Sequence, residues 1–125
     1  MNKIHKPFSL KQRMLSFRYA ANGIAHFVRN EHNAWIHLIV LILVVVAGIF
    51  FGITANEWIY ITLAAGMVLL SEGFNSAIEY LCNVVSPAHN EQIGNVKDIA
   101  AGSVLIAAIT AVIVGLFIFL PYLIK

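Results

Sequence analysis

The sequence predicts an all-α membrane protein, built as an N-terminal amphipathic surface helix followed by three transmembrane helices. Three observations carry this expectation. The 125 residues are 60% hydrophobic and 11% charged, with a mean hydropathy of +0.83, whereas soluble domains carry about 25% charged residues. Three apolar runs, each near or above the ~20 residues needed to cross a bilayer, are separated by short polar breaks. Ahead of them lies a basic stretch with helical periodicity. Neither break has room for a second folded unit and no internal repeat is visible, so 1–125 reads as a single domain.

Residues 1–30 hold the expected surface helix. Leu10, Met14, Phe17, Ala21, Ile24 and Val28 recur at alternating intervals of four and three, while Lys11, Arg18, Asn22 and Arg29 are expected on the opposite face. A basic amphipathic helix of this kind lies in the membrane interface. It either only anchors the chain or also presents its basic face to anionic phosphate. The stretch lacks the short continuous apolar core of a secretory leader, so no cleavage is expected.

The spans are expected at about 34–53, 58–85 and 99–124. Residues 54–57 make a tight connection, and 86–95 make a longer one in which Pro87 and Gly94 are expected to interrupt the helix. Lys3, Lys6, Lys11, Arg13, Arg18 and Arg29 precede the first span and Lys97 follows the second, with no Lys or Arg between spans one and two. The positive-inside rule therefore puts the N-terminus and the second loop in the cytoplasm, with Lys125 a minor exception. Trp35, Trp58 and Tyr122 at span ends read as interfacial anchors. Ala100, Ala101, Gly102 and Ser103 are small enough to let helices approach closely.

Several chemistries are disfavoured. A lone Cys82 excludes a disulfide framework and reads as apolar filler. A net charge of +2, with aromatic residues mainly in apolar runs, argues against nucleic acid. No Gly-x-x-x-x-Gly-Lys loop and no soluble-kinase catalytic loop is present. His26, His32, His37 and His89 show no metal-ligand spacing on one helix face, which favours interfacial or supporting roles.

The candidate site starts from a carboxylate pair near the end of the second apolar run, in Glu72-Gly73-Phe74-Asn75-Ser76-Ala77-Ile78-Glu79. Ionisable side chains within a membrane cost several kcal/mol and mark functional sites by default. Seven residues apart, Glu72 and Glu79 project in nearly the same direction, about 10 Å apart along the helix axis, with Asn75 and Ser76 flanking them. That separation is too great for both to grip one small ion directly. The expected direction of the span makes Glu72 the deeper residue and Glu79 the one nearer the cytosol. Glu31 precedes the first span and Lys97 and Asp98 open the third, at the same level. Carboxylate and amide oxygens suit Mg²⁺, which is commonly held by one or two carboxylates plus substrate phosphates. A nucleotide arriving from the cytosol meets Glu31, Glu79 and Asp98, whereas a lipid hydroxyl meets Glu72, a carboxylate shielded enough to act as general base. Two other classes stay open: a small ion- or proton-coupled transporter, and a structural membrane subunit held by interhelical polar contacts.

Glu72-x-x-Asn75-Ser76-Ala77-Ile78-Glu79, followed by Val96-Lys97-Asp98-Ile99-Ala100-Ala101-Gly102-Ser103-Val104, resembles the signature of the small bacterial integral-membrane diacylglycerol kinase family, which includes undecaprenol kinases. The resemblance covers nearly the whole chain, from the surface helix through Asn30-Glu31-His32-Asn33 to a short tail at Leu120-Pro121. It implies a homotrimer in the bacterial inner membrane with composite sites at the cytoplasmic interface. ATP and Mg²⁺ would phosphorylate a lipid hydroxyl there, turning diacylglycerol into phosphatidic acid or undecaprenol into undecaprenyl phosphate. By the same resemblance Glu72 matches the general base, and Glu31 and Glu79 the metal-binding carboxylates. Tyr19, Asn75, Lys97 and Asp98 match positions that contact the nucleotide or order the site. Many members carry Arg after the first glutamate, where His32 stands here.

Overall fold

The computed structural model describes residues 6–125, so Lys3, counted above for orientation, lies outside the described residues. Four helices account for nearly all of them: α1 (Leu10–Asn30), α2 (His32–Phe51), α3 (Ala55–Val85) and α4 (Glu91–Leu123). The chain divides into two compact units, the first ending at Asn30 and the second running from Glu31 to Lys125.

In the first unit, α1 contains no buried residue. At 3.6 residues per turn its basic stripe sits about 100° from the apolar stripe. Lys11, Arg18 and Arg29 therefore flank the apolar face and do not oppose it, which corrects the expected geometry. A helix lying in an interface gains from this arrangement, because basic side chains at the margin reach headgroups while their stems stay against apolar matter.

In the second unit, α2, α3 and α4 are each long and apolar enough to cross a membrane. Their limits differ from those expected. α2 starts two residues earlier and stops at Phe51, because Gly52 takes the left-handed conformation (φ 63°) and its N–H turns back on the last turn. α3 starts at Ala55, where Thr54 and Glu57 form a reciprocal capping box. α4 begins at Glu91, eight residues before the expected 99, and contains Gly94. The Asn90 side chain accepts from the backbone N–H groups of Gln92 and Ile93 at 2.9 and 3.3 Å and so starts the helix upstream of that glycine. The loop shrinks to 86–90, and only Pro87 of the two expected breakers lies in it. Pro121, expected in a tail, lies within the last turn of α4.

The lengths have a consequence for depth. At 1.5 Å per residue α2 is about 30 Å long, matching the hydrocarbon core, whereas α3 and α4 reach about 46 and 50 Å. Both long helices exceed the thickness of the hydrocarbon, and their charged residues lie towards their ends: Glu57 at the α2–α3 turn, and Glu79, Glu91, Lys97 and Asp98 towards the α3–α4 loop. Glu72 alone among the acidic residues of α3 stands well inside.

Packing is anchored at the α2–α3 turn. Ile53, Ile61 and Ile118 are buried there with Val44, Phe51, Trp58, Val114, Phe119 and Tyr122 against them. The Trp58 indole lies so close to Gly48 that an added Cβ would come 2.6 Å from Cη2. Tyr122 donates its hydroxyl to Glu57 Oε2 at 2.7 Å, the same oxygen that accepts from Thr54 N–H at 3.0 Å. One carboxylate thus ties the α2–α3 turn, the start of α3 and the end of α4. Trp58 and Tyr122, expected as interfacial anchors, are also parts of this core. α3 packs more extensively on α4 than on α2, helped by buried Ala100 and Ala107, small residues that permit close approach.

Candidate active site

The polar face of α3 is set by its period. Glu72, Ser76, Glu79 and Asn83 follow one another at intervals of four, three and four, and Asn75 flanks them, so these five polar side chains share one stripe. Its exposure changes sharply along the axis. Glu72 is 3% and Ser76 6% exposed, Asn75 is half-buried, and Glu79 and Asn83 are exposed.

At the buried end, α2 supplies the partner. His37 Nε2 lies 3.3 Å from Glu72 Oε1. An ionised carboxylate only accepts hydrogen bonds, so with Glu72 charged the imidazole carries its proton on Nε2 and donates it. His37 also borders an apolar cleft of about 390 Å³ between α2, α3 and α4, whose lining includes Val40, Ala64, Val68, Ala111 and Gly115. The cleft and the polar stripe thus meet at the His37–Glu72 pair.

At the exposed end, Glu31, the residue that precedes α2, accepts a hydrogen bond from the Tyr80 hydroxyl, and Glu79 lies near enough to act on the same hydroxyl electrostatically. The residue before α2 and the phenol of α3 are thereby brought together. Lys97 of α4 donates to Asn83 Oδ1 at 2.7 Å, which draws the ammonium onto the α3 stripe. Asp98 is exposed one residue on, and Tyr19 is exposed on α1, in the other unit.

Three participants have no assigned role in the sequence pattern. For His37 the sequence indicates an interfacial or supporting role, without its partner. Asn83 continues the α3 stripe four residues beyond Glu79 and was legible from the period alone. Tyr80 projects about 100° away from Glu79 and had no such signal.

The donor set fits a hard divalent cation supplied with further ligands by a phosphate. Among the described residues no three His, Cys, Asp or Glu side chains converge as a metal cage. Asn75 Oδ1, however, is a buried oxygen with no hydrogen-bond partner among the described residues, on the same face as Glu79. A buried acceptor left unpaired costs about 1–3 kcal/mol and is suited to an incoming cation or N–H donor.

These features define a class: a small multi-pass helical membrane protein with an acidic, one-sided polar site at the end of its helices and an apolar cleft leading to it. Comparison with known proteins gives that class a family. Residues 18–119 match the model of prokaryotic diacylglycerol kinase, and the chain belongs to that family. It is 34% identical over 108 residues to the undecaprenol kinase of Bacillus subtilis (strain 168), covering 86% of this chain and 88% of the relative. It is also 34% identical over 113 residues to a diacylglycerol kinase of Synechocystis sp., covering 90% of this chain and 65% of that longer protein. Both relatives bear the names of lipid kinases.

Proposed function

We propose that this protein is an ATP-dependent lipid kinase that transfers the γ-phosphoryl group to the primary hydroxyl of a membrane lipid, either diacylglycerol or undecaprenol. Family membership and the names of both relatives support the reaction class. The observation that carries the assignment of roles is the contrast in exposure between Glu72 and Glu79, two carboxylates on one helical stripe.

In this reading Glu72 receives the proton of the lipid hydroxyl as its oxygen attacks the γ-phosphorus in line. The new O–P bond forms as the bond to the β-phosphate oxygen breaks, and ADP departs with that electron pair. Little covalent work falls to the protein in such a transfer, and positioning with charge neutralisation does most of the catalysis. Glu31 and Glu79, with Asn75 Oδ1, would hold Mg²⁺, which when bound neutralises phosphate charge. Lys97, held by Asn83, offers its ammonium to the same phosphates, and Asp98 orders the nucleotide end of the site. The apolar cleft ending at His37 suits a hydrocarbon tail, whose hydroxyl then stands at the edge of the polar stripe. The reading includes a homotrimer in the bacterial inner membrane, with the N-terminus and site cytoplasmic, an orientation that the distribution of basic residues supports.

The test is reconstitution of the purified protein in phosphatidylcholine vesicles with γ-labelled ATP, Mg²⁺ and, in separate arms, diacylglycerol or undecaprenol. Labelled lipid in one arm is expected, and EDTA abolishes it. Absence of label in both arms, with ATP binding intact, contradicts the kinase reading. Ion flux without ATP consumption would instead indicate a transporter.

A further inference from the structure

We propose that His37 is the positioning residue of the general base, holding the Glu72 carboxylate by one oxygen so that the other is aimed at the acceptor hydroxyl. This rests on the reading of Glu72 as the base. Glu72 is the most buried charged group described, at 3% exposure, and His37 makes the one hydrogen bond to it among the described residues, to Oε1. A carboxylate side chain has three rotatable bonds, and loss of that bond would free it to turn within its pocket. A base that must lie within hydrogen-bond reach of the proton it removes loses rate when its orientation is spread.

Three features separate this role from packing. The bond crosses from α2 to α3, so it fixes the carboxylate from outside its own helix. It leaves Oε2 available. The imidazole also lines the apolar cleft, which puts the donor between the carboxylate and the route suited to a lipid tail. An apolar side chain of similar size would fill the space equally well and supply no donor.

The test compares His37→Gln, whose side-chain amide N–H keeps a donor able to reach Glu72, with His37→Leu, which keeps bulk and removes the donor. Both are measured in phosphatidylcholine vesicles with ATP, Mg²⁺ and whichever lipid the native protein phosphorylates. His37→Leu is expected to lower kcat at least tenfold with KM for ATP changed less than twofold, and His37→Gln to restore kcat to within about threefold of native. Equal kcat for the two variants, whether both high or both low, overturns the proposal. Glu72→Gln is measured alongside: if it is inactive while His37→Leu is fully active, only the positioning role falls, and if it keeps native kcat, the assignment of the base falls as well.

Discussion

His37 of α2 and Glu72 of α3 meet at 3.3 Å through Nε2 and Oε1 inside the helical bundle, where the carboxylate is almost wholly shielded. Burying a carboxylate is expensive, and a pair of this kind seldom repays its desolvation relative to apolar side chains of the same volume. Its presence is best explained by chemistry. The double variant His37→Leu/Glu72→Leu should therefore be inactive yet lie within about 1 kcal/mol of the native protein in stability, or above it. Thermal unfolding in detergent, followed by circular dichroism, checks this. A collapse of the double variant would show that the pair is needed for the fold.

Glu79 should answer to nucleotide and metal. Its side chain is exposed beside the Glu31–Tyr80 pair, and losing its charge removes a contact of about 1.5–3 kcal/mol, roughly ten- to a hundredfold in affinity. Glu79→Gln is expected to raise the apparent KM for Mg-ATP by that order, with KM for the lipid unchanged. Steady-state kinetics with each substrate varied in turn gives the answer.

Asn83 should act through Lys97. The 2.7 Å bond from Lys97 Nζ to Asn83 Oδ1 holds a flexible side chain at the site, and removing an ordinary hydrogen bond costs about 0.5–1.5 kcal/mol. Asn83→Leu should weaken ATP binding by roughly two- to tenfold, and Lys97→Met should weaken it further. Titration with a fluorescent ATP analogue ranks the two variants. In a double variant the Asn83 substitution should add nothing once Lys97 is gone, because the pair works as one unit.

At the other end of the bundle the polar chemistry is structural. Tyr122→Phe removes the bond to Glu57 Oε2 without disturbing the ring packing on Phe51, whose centroid lies 5.8 Å away. A loss of about 1 kcal/mol in stability is expected, with kcat and both KM values unchanged. Unfolding midpoints set beside turnover distinguish this from any role in catalysis.

The sequence made the three spans legible because long apolar runs bounded by polar residues leave few alternatives in a bilayer. It made the stripe from Glu72 to Glu79 legible because a helix fixes direction by spacing alone. Boundaries were less legible where side chains override local preference. Asn90 starts α4 ahead of Gly94, and Gly52 stops α2 through a backbone conformation that hydropathy does not register. The partners of the stripe were hidden for a different reason. His37–Glu72, Tyr80–Glu31 and Tyr122–Glu57 join residues 35, 49 and 65 positions apart in the chain, and such pairings depend on the rotation of each helix against its neighbour. Glu57 shows the same limit: the sequence places it only in the tight connection 54–57, and packing makes it the tie for three elements.

The most direct measurement of the central claim is phosphoryl transfer by Glu72→Gln in vesicles containing the native acceptor lipid, with nucleotide binding recorded on the same sample. Glutamine keeps the shape of the side chain and removes the basic oxygen, so labelled lipid should fall by at least a hundredfold, consistent with the ~10²–10⁴-fold contribution of a general base, while ATP affinity stays within about twofold of native. Native-level turnover by that variant would contradict the assignment of Glu72 as the base.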